Sequence, residues 1–215
     1  IMEISDTQLS RPTKSWIKAE DKDSPLKVEL APVFDASIKI QNVVATATLN
    51  QKFDLYAIVK GNPLVDYHPE TFPGLVFKLK KPKTTILIFR TGKMVCTGAK
   101  SEKEAFKAIK TGVRDLKTSG IVIPGKPEIR IVNMVASANL FGTIELEDVA
   151  YALKNTMYEP EQFPGLILRM NDPKVVILIF ATGKLVCTGA TKEAEVYRAV
   201  ENLRQELEKN ELIFR

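Results

Sequence analysis

Short stretches of the chain alternate apolar residues with a period of two, and two longer stretches carry them at helical spacing. In "TTILIF" at Thr84–Phe89, Ile86 and Ile88 fall on one side, with Leu87 and Phe89 on the other. In "KMVCT" at Lys93–Thr97, Met94 and Cys96 oppose Val95 and Thr97. Around Val43–Leu49, Val43, Ala45 and Ala47 oppose Asn42, Val44 and Thr46. Gly74–Leu79 reads as one more strand, with "KKPK" and "RTGK" as the turns between neighbours. Asp54–Lys60 places Leu55 and Ile58 one turn apart, which predicts a short helix. Ser101 opens a longer one: Glu104, three residues on, completes a capping box, and Ala105, Phe106, Ile109, Val113 and Leu116 form its apolar stripe. The predicted order is strand, helix, three strands, helix.

The same order is written twice. An offset of 91 aligns Ile38–Ile123 with Ile129–Phe214 without a gap, at about 33 identities in 86 positions. "TTILIFRTGKMVCTGAK" returns as "VVILIFATGKLVCTGAT" from Val175, and "YHPETFPGL" as "YEPEQFPGL". The second long helix carries Val196, Tyr197, Val200 and Leu207 as its stripe. The expected organisation is an extension over residues 1–33, flexible and without counterpart, then a first repeat over 34–123. A Pro- and Gly-marked joint, "PGKPE", follows at 124–128, and a second repeat spans 129–215.

Both faces of the predicted strands are largely apolar, yet each repeat offers helices enough for about one face. The uncovered face carries Val44, Leu87, Phe89 and Val95 with their counterparts Val135, Leu178, Phe180 and Val186, sprinkled with Asn42, Asn133, Thr97 and Thr188. Two arrangements are open. The repeats pack face to face as a sandwich, or they join edge to edge and leave a wide apolar face for a partner. Phe72 with Phe89, and Phe163 with Phe180, add two pairs of rigid apolar wedges flanked by Lys78, Lys83, Arg169 and Lys174. Such pairs suit insertion between stacked base pairs.

Composition narrows the classes. The 215 residues carry +5 and are 45% hydrophobic, ample for a core. The longest apolar run, Val175–Ala181, is too short to span a bilayer, and no basic stretch followed by an apolar core opens the chain. An intracellular protein with two buried thiols, Cys96 and Cys187, is expected. Residues 34–123 hold fifteen Lys/Arg against seven Asp/Glu, or +8, whereas 129–215 hold ten against twelve, or −2. Near-identical cores with opposite charge point to different partners on the two halves. Catalysis has little support. His68 is the single histidine, no Cys/His set has metal spacing, the phosphate-loop pattern is absent, and the open face offers no carboxylate pair. Neither enzymatic activity nor a cofactor is expected. A protein-binding adaptor using the same face is the alternative.

"QNVVAT", "FPGL", "PKTTILIFRTGKMVCTGAK", "YEPEQFPGL" and "PKVVILIFATGKLVCTGA" carry a specific resemblance over about 34–215. The chain resembles the TATA-box-binding proteins, in style the archaeal ones, a family that is itself a standard example of minor-groove kinking. The resemblance implies an α+β saddle, two pseudo-symmetric repeats forming one continuous curved antiparallel sheet with helices on the convex face. It implies a general transcription factor that binds double-stranded TATA-box DNA in the minor groove and recruits transcription factor B and RNA polymerase. Its place would be the cytoplasm or nucleoid in an archaeon and the nucleus in a eukaryote.

By the same resemblance, Asn42 and Asn133 donate to groove acceptors, with Val44, Thr46 and Val135 beside them and Thr97 and Thr188 reaching the groove floor. Leu87, Val95, Leu178 and Val186 match apolar contacts, and Phe72, Phe89, Phe163 and Phe180 the kinking wedges. Lys78, Arg169, Thr91, Thr182 and Lys100 match phosphate contacts, Thr191 standing where a second lysine is usual. Glu159, Glu161 and Gln162 lie on the loop that receives transcription factor B. The stripe Lys103, Lys107, Lys110, Arg114 and Lys117 is a candidate surface for regulators. The chemistry agrees with this assignment. A·T pairs show only acceptors in the minor groove and G·C adds an amino donor, so amide donors among small apolar groups favour A·T.

Overall fold

A computed structural model describes residues 36–215, so the expected extension over 1–33 lies outside the described residues. The first repeat runs β1 (Ser37–Thr48), α1 (Leu55–Gly61), β2 (Val65–Asp66), β3 (Leu75–Leu79), β4 (Thr84–Ile88), β5 (Lys93–Ala99) and α2 (Glu102–Thr118). The second runs β6 (Glu128–Asn139), β7 (Thr143–Ile144), α3 (Leu146–Ala152), β8 (Thr156–Met157), β9 (Leu166–Met170), β10 (Val175–Ile179), β11 (Lys184–Ala190), α4 (Glu193–Lys209) and β12 (Ile213–Phe214). β12 pairs with β7 in a small separate sheet. At the equivalent place in the first repeat, Gln51 Nε2 donates to the Val122 carbonyl at 3.0 Å.

The two repeats join edge to edge. One ten-stranded sheet runs β2-β3-β4-β5-β1-β6-β11-β10-β9-β8, and every pairing in it is antiparallel. In the central pair Val43 lies opposite Met134, its own counterpart at an offset of 91, so the pseudo-dyad passes between them. This decides between the two arrangements that alternation left open.

α2 packs on β5, β1 and β4, and α4 on β11 and β6. Beneath α2 lie Val43, Ala45, Ile86, Ile88, Met94 and Cys96, fully buried; beneath α4 lie Met134, Ala136, Ile177, Ile179, Leu185 and Cys187. These are the residues that alternation assigns to the helix side. Both thiols are free, and burial pushes each up to about 11, so neither is a thiolate near neutral pH.

Three readings of the local pattern are corrected. β1 begins at Ser37, six residues before Val43, because its first half is held by pairing with the distant end of β6, which local pattern does not contain. Ser101 does cap α2, its Oγ accepting from the Glu104 N–H at 3.1 Å, but the Glu104 carboxylate reaches back past it to the Lys100 N–H at 2.6 Å. Tyr197 is not part of the buried stripe of α4. It is 47% exposed, while Ala199 and Leu203 complete the stripe.

Candidate nucleic-acid interface

The face of the sheet opposite α2 and α4 is shaped by bulges. Along β1, Ile40 pairs with Ala136 and Asn42 with Val135, so Gln41 is an extra residue. The insertion reverses the alternation, placing Ser37 and Lys39 upstream on the same face as Asn42, Val44 and Thr46 downstream. β6 does likewise. Asn133 pairs with Val44 and Ile131 with Ala45, Val132 is the extra residue, and Glu128 and Arg130 join Asn133, Val135 and Ser137 on the open face. Alternation alone misses Ser37, Lys39, Glu128 and Arg130. The signal available was the break of period two at Gln41 and Val132.

A second pair of bulges orients the central amides. Gly98 has φ +93° and Gly189 φ +99°, a left-handed conformation that glycine adopts without strain. Their N–H groups are thereby turned toward the neighbouring strand. Gly98 donates to Asn42 Oδ1 at 2.7 Å, and Gly189 to Asn133 Oδ1 at 2.8 Å. With each Oδ1 occupied, each Nδ2 keeps an N–H to offer at the centre of the face, the Asn42 Nδ2 standing also 3.4 Å from the Thr97 hydroxyl. Thr97 and Thr188 hydroxyls stand 3.4 Å from those amides, so the four polar groups form two equal clusters about the pseudo-dyad.

Apolar side chains extend from this centre in both directions. Leu87 lies across from Val95 and Val76, and Leu178 across from Val186 and Ile167. All six are half-buried. At each outer end stands a pair of rings. Phe72 and Phe89 have centroids 5.9 Å apart at 65°, and Phe163 and Phe180 5.9 Å apart at 68°. Edge-to-face contact favours this geometry by about 0.5–1.5 kcal/mol. Each pair sits over a glycine for a steric reason. A Cβ on Gly74 would lie 2.7 Å from Phe72 Cε1, and one on Gly165 2.7 Å from Phe163 Cε1. The loops are pinned from behind, since the Glu159 carbonyl accepts from the Phe163 N–H and the His68 carbonyl from the Phe72 N–H, each at 2.9 Å.

The remaining assigned residues lie at the margins. Thr91 and Thr182 are exposed in the β4–β5 and β10–β11 turns. Lys78 is held 3.5 Å from Asp66, whereas Arg169 has no ion pair among the described residues. Lys100 Nζ donates to the Gln41 carbonyl at 2.5 Å, and the Thr191 hydroxyl that replaces it lies 3.2 Å from Glu195. Glu159, Glu161 and Gln162 are exposed beside Phe163, off the sheet, and the five cations of α2 are exposed on the helix side. His68 is exposed, its Nδ1 3.4 Å from Glu70. Among the described residues no group of three or more His, Cys, Asp or Glu is placed to hold a metal, and no helix is long and apolar enough to cross a membrane.

A two-fold repeated sheet with helices on one side and amide donors, apolar side chains and ring pairs on the other defines a class of saddle-shaped α+β proteins. The model of the family described as "Transcription factor TFIID (or TATA-binding protein, TBP)" matches residues 37–119 and again 128–210. The TATA-box-binding protein of Sulfurisphaera tokodaii is 53% identical over 174 residues, 81% of this chain and 88% of that protein. That of Methanothermobacter thermautotrophicus is 51% identical over 179 residues, 83% of this chain and 99% of its own length. The solved structure of Methanococcus jannaschii TBP superposes with a TM-score of 0.73 at 46% identity, covering 80% of this chain and 98% of that one. The chain belongs to the TATA-binding protein family.

Proposed function

We propose that the chain is a general transcription factor that binds A·T-rich, TATA-box-type promoter DNA through the open face, in the minor groove. One observation carries the reading. Both central amides have their oxygens occupied by the Gly98 and Gly189 N–H groups, so the face offers donors where an A·T pair offers acceptors. Facing G·C, the same donors meet the guanine amino group. With few side chains able to count bases, selectivity rests on how readily the duplex deforms, which favours TA steps. The ring pairs act as wedges at the two kinks, and unstacking is offset by the wider contact that a bent duplex allows. The names of the relatives, all TATA-box-binding proteins, support the same substrate.

Fluorescence anisotropy with A·T-rich and G·C-rich duplexes tests this. Binding restricted to the A·T-rich duplex is expected, with a strong bend read by energy transfer between end labels. Equal affinity for both duplexes, or none for either, sinks the reading; the second outcome leaves a protein-binding adaptor.

Transcription factor B docks on Glu159, Glu161 and Gln162 and brings in RNA polymerase, so the protein acts where the genome is transcribed. The loop supports this role because its carboxylates are exposed beside Phe163 but lie off the sheet. Reversing both charges, Glu159→Arg with Glu161→Arg, leaves binary DNA binding nearly intact and abolishes the ternary complex in a gel shift. A normal ternary complex would move the docking site to the α2 stripe.

A further inference from the structure

The two ends of the open face are not electrostatic equals. Because β1 and β6 run antiparallel, the start of each repeat's first strand lies beside the other repeat's rings. Next to Phe180 is a groove of about 680 Å³ lined by Ser37, Lys39, Ser137 and Lys184. Its mate next to Phe89 measures about 380 Å³ and is lined by Glu128, Arg130, Thr46 and Lys93. Ser37 is thus replaced by Glu128, and Lys39 by Arg130. The Arg130 guanidinium is bound by the Glu128 carboxylate, with Nε–Oε1 at 3.0 Å and Nη2 closer. Lys39 has no ion pair among the described residues. The outer strands repeat the asymmetry independently. Lys78 pairs with Asp66, but Met157 replaces that aspartate in the second repeat and leaves Arg169 without an ion pair among the described residues.

We infer that the open face has a built-in polarity. It grips the duplex backbone through Lys39 and Arg169 at the Phe163–Phe180 end, while Glu128 and Asp66 neutralise Arg130 and Lys78 at the Phe72–Phe89 end. This rests on the DNA-binding reading above and deepens it. It also runs against whole-repeat charge, which is +8 for the first and −2 for the second. The physical reason is counterion release. A lone cation that neutralises a phosphate frees close to one condensed counterion, whereas a cation already carrying a carboxylate adds no net charge to the interface. Exposed pairs are weakly held, so geometry is not the barrier; the Glu128 charge is, standing where a phosphate would approach. Lys100 lies beside Gln41, two residues from the pseudo-dyad, and favours neither end strongly. The consequence is a binary complex that prefers one orientation on an A·T site whose halves differ.

The salt dependence of binding to a short A·T-rich duplex tests it with exposed substitutions that leave the core untouched. Lys39→Ala and Arg169→Ala each flatten the slope of log affinity against log salt by about one. Glu128→Ser steepens it by about one, and adding Arg130→Ala to that variant restores the starting slope. No flattening with Lys39→Ala, or no steepening with Glu128→Ser, overturns the proposal. Orientation is read by energy transfer from a dye at the C-terminus to one end of a duplex with TA steps in a single half. Unequal populations are expected, evening out in Glu128→Ser with Asp66→Met; equal populations in the unaltered protein also overturn it. Failure of the underlying reading looks different, because the unaltered protein then shows no A·T-selective binding to analyse.

Discussion

α2 and α4 cover equivalent sheets with buried stripes that match except at Val113, whose counterpart is Arg204, and around that position their charges are inverted. α2 exposes Lys110 and Lys117 on either side of Val113; one offset later, α4 has Glu201 and Glu208 on either side of Arg204. Arg204 binds Glu201 at 2.7 Å and Glu208 at 2.6 Å, and its side chain is only 14% exposed. α4 ties Arg204 to its own carboxylates, while α2 leaves Lys103, Lys107, Lys110 and Lys117 without an ion pair among the described residues and holds only Arg114, against Asp115. The contrast separates what the fold demands from what it tolerates. Most buried positions and the central amides of the open face are repeated, while outer charges drift and give the two halves separate tasks.

The sharpest way to break the equivalence of the halves is to remove one pair of rings at a time. Phe163→Ala with Phe180→Ala, and separately Phe72→Ala with Phe89→Ala, should each cost on the order of 2–3 kcal/mol in DNA affinity, the scale of a buried aromatic anchor. Each should also reduce the bend seen by energy transfer. An unaltered bend in either variant would make that pair ordinary packing. A subtler version keeps the rings and moves them. Gly165→Ala and Gly74→Ala force a methyl against Cε1 of the ring beside it and should cost about 1–3 kcal/mol in thermal stability, equally in the two repeats. A difference between them would show that one pair has room to yield.

At the centre, where the halves are most alike, Asn42→Ala and Asn133→Ala should each weaken A·T binding by about 0.5–1.5 kcal/mol and narrow the preference over G·C. Unchanged affinity and preference in the double variant would remove the amides from the groove floor.

The smallest effect tests the inverted helices. The Arg204 hydrogen bond holds the Glu201 carboxyl below its ordinary value of 4.5. A depressed acid contributes stability above its unfolded value, and that contribution is lost as pH falls through the lowered one. Glu201→Gln should therefore cost under about 1 kcal/mol at neutral pH and less in acid, read by denaturant melts. The corresponding change at Lys110 should be silent at both. A cost independent of pH would mean that the carboxylate charge is not what Arg204 needs.

Much of this was legible in the chain because short-range periodicity reports burial directly. "TTILIF" and "KMVCT" sort into buried and half-buried positions as their alternation predicts, and Leu55 and Ile58 are buried on α1. The repeat itself implied a pseudo-dyad. Less legible were the residues upstream of Asn42 and Asn133. Their face depends on whether a strand carries an extra residue, and a bulge is a property of pairing with a partner strand. Tyr197 was misplaced for a related reason, since helical spacing defines a stripe but not its width.

What the sequence determined by itself is therefore local or periodic: which residues are buried, that the unit occurs twice, and which amides, valines and phenylalanines recur at an offset of 91. What the tertiary structure decided is what meets across the pseudo-dyad. Only the antiparallel union of β1 with β6 leaves the face open, and only that union places Ser37 and Lys39 beside Phe180, and Glu128 and Arg130 beside Phe89. The reason is physical. Apolar burial is nearly additive along the chain and shows in its pattern, whereas the effect of a charge depends on which other charge stands within a few ångströms, which no period in the sequence records.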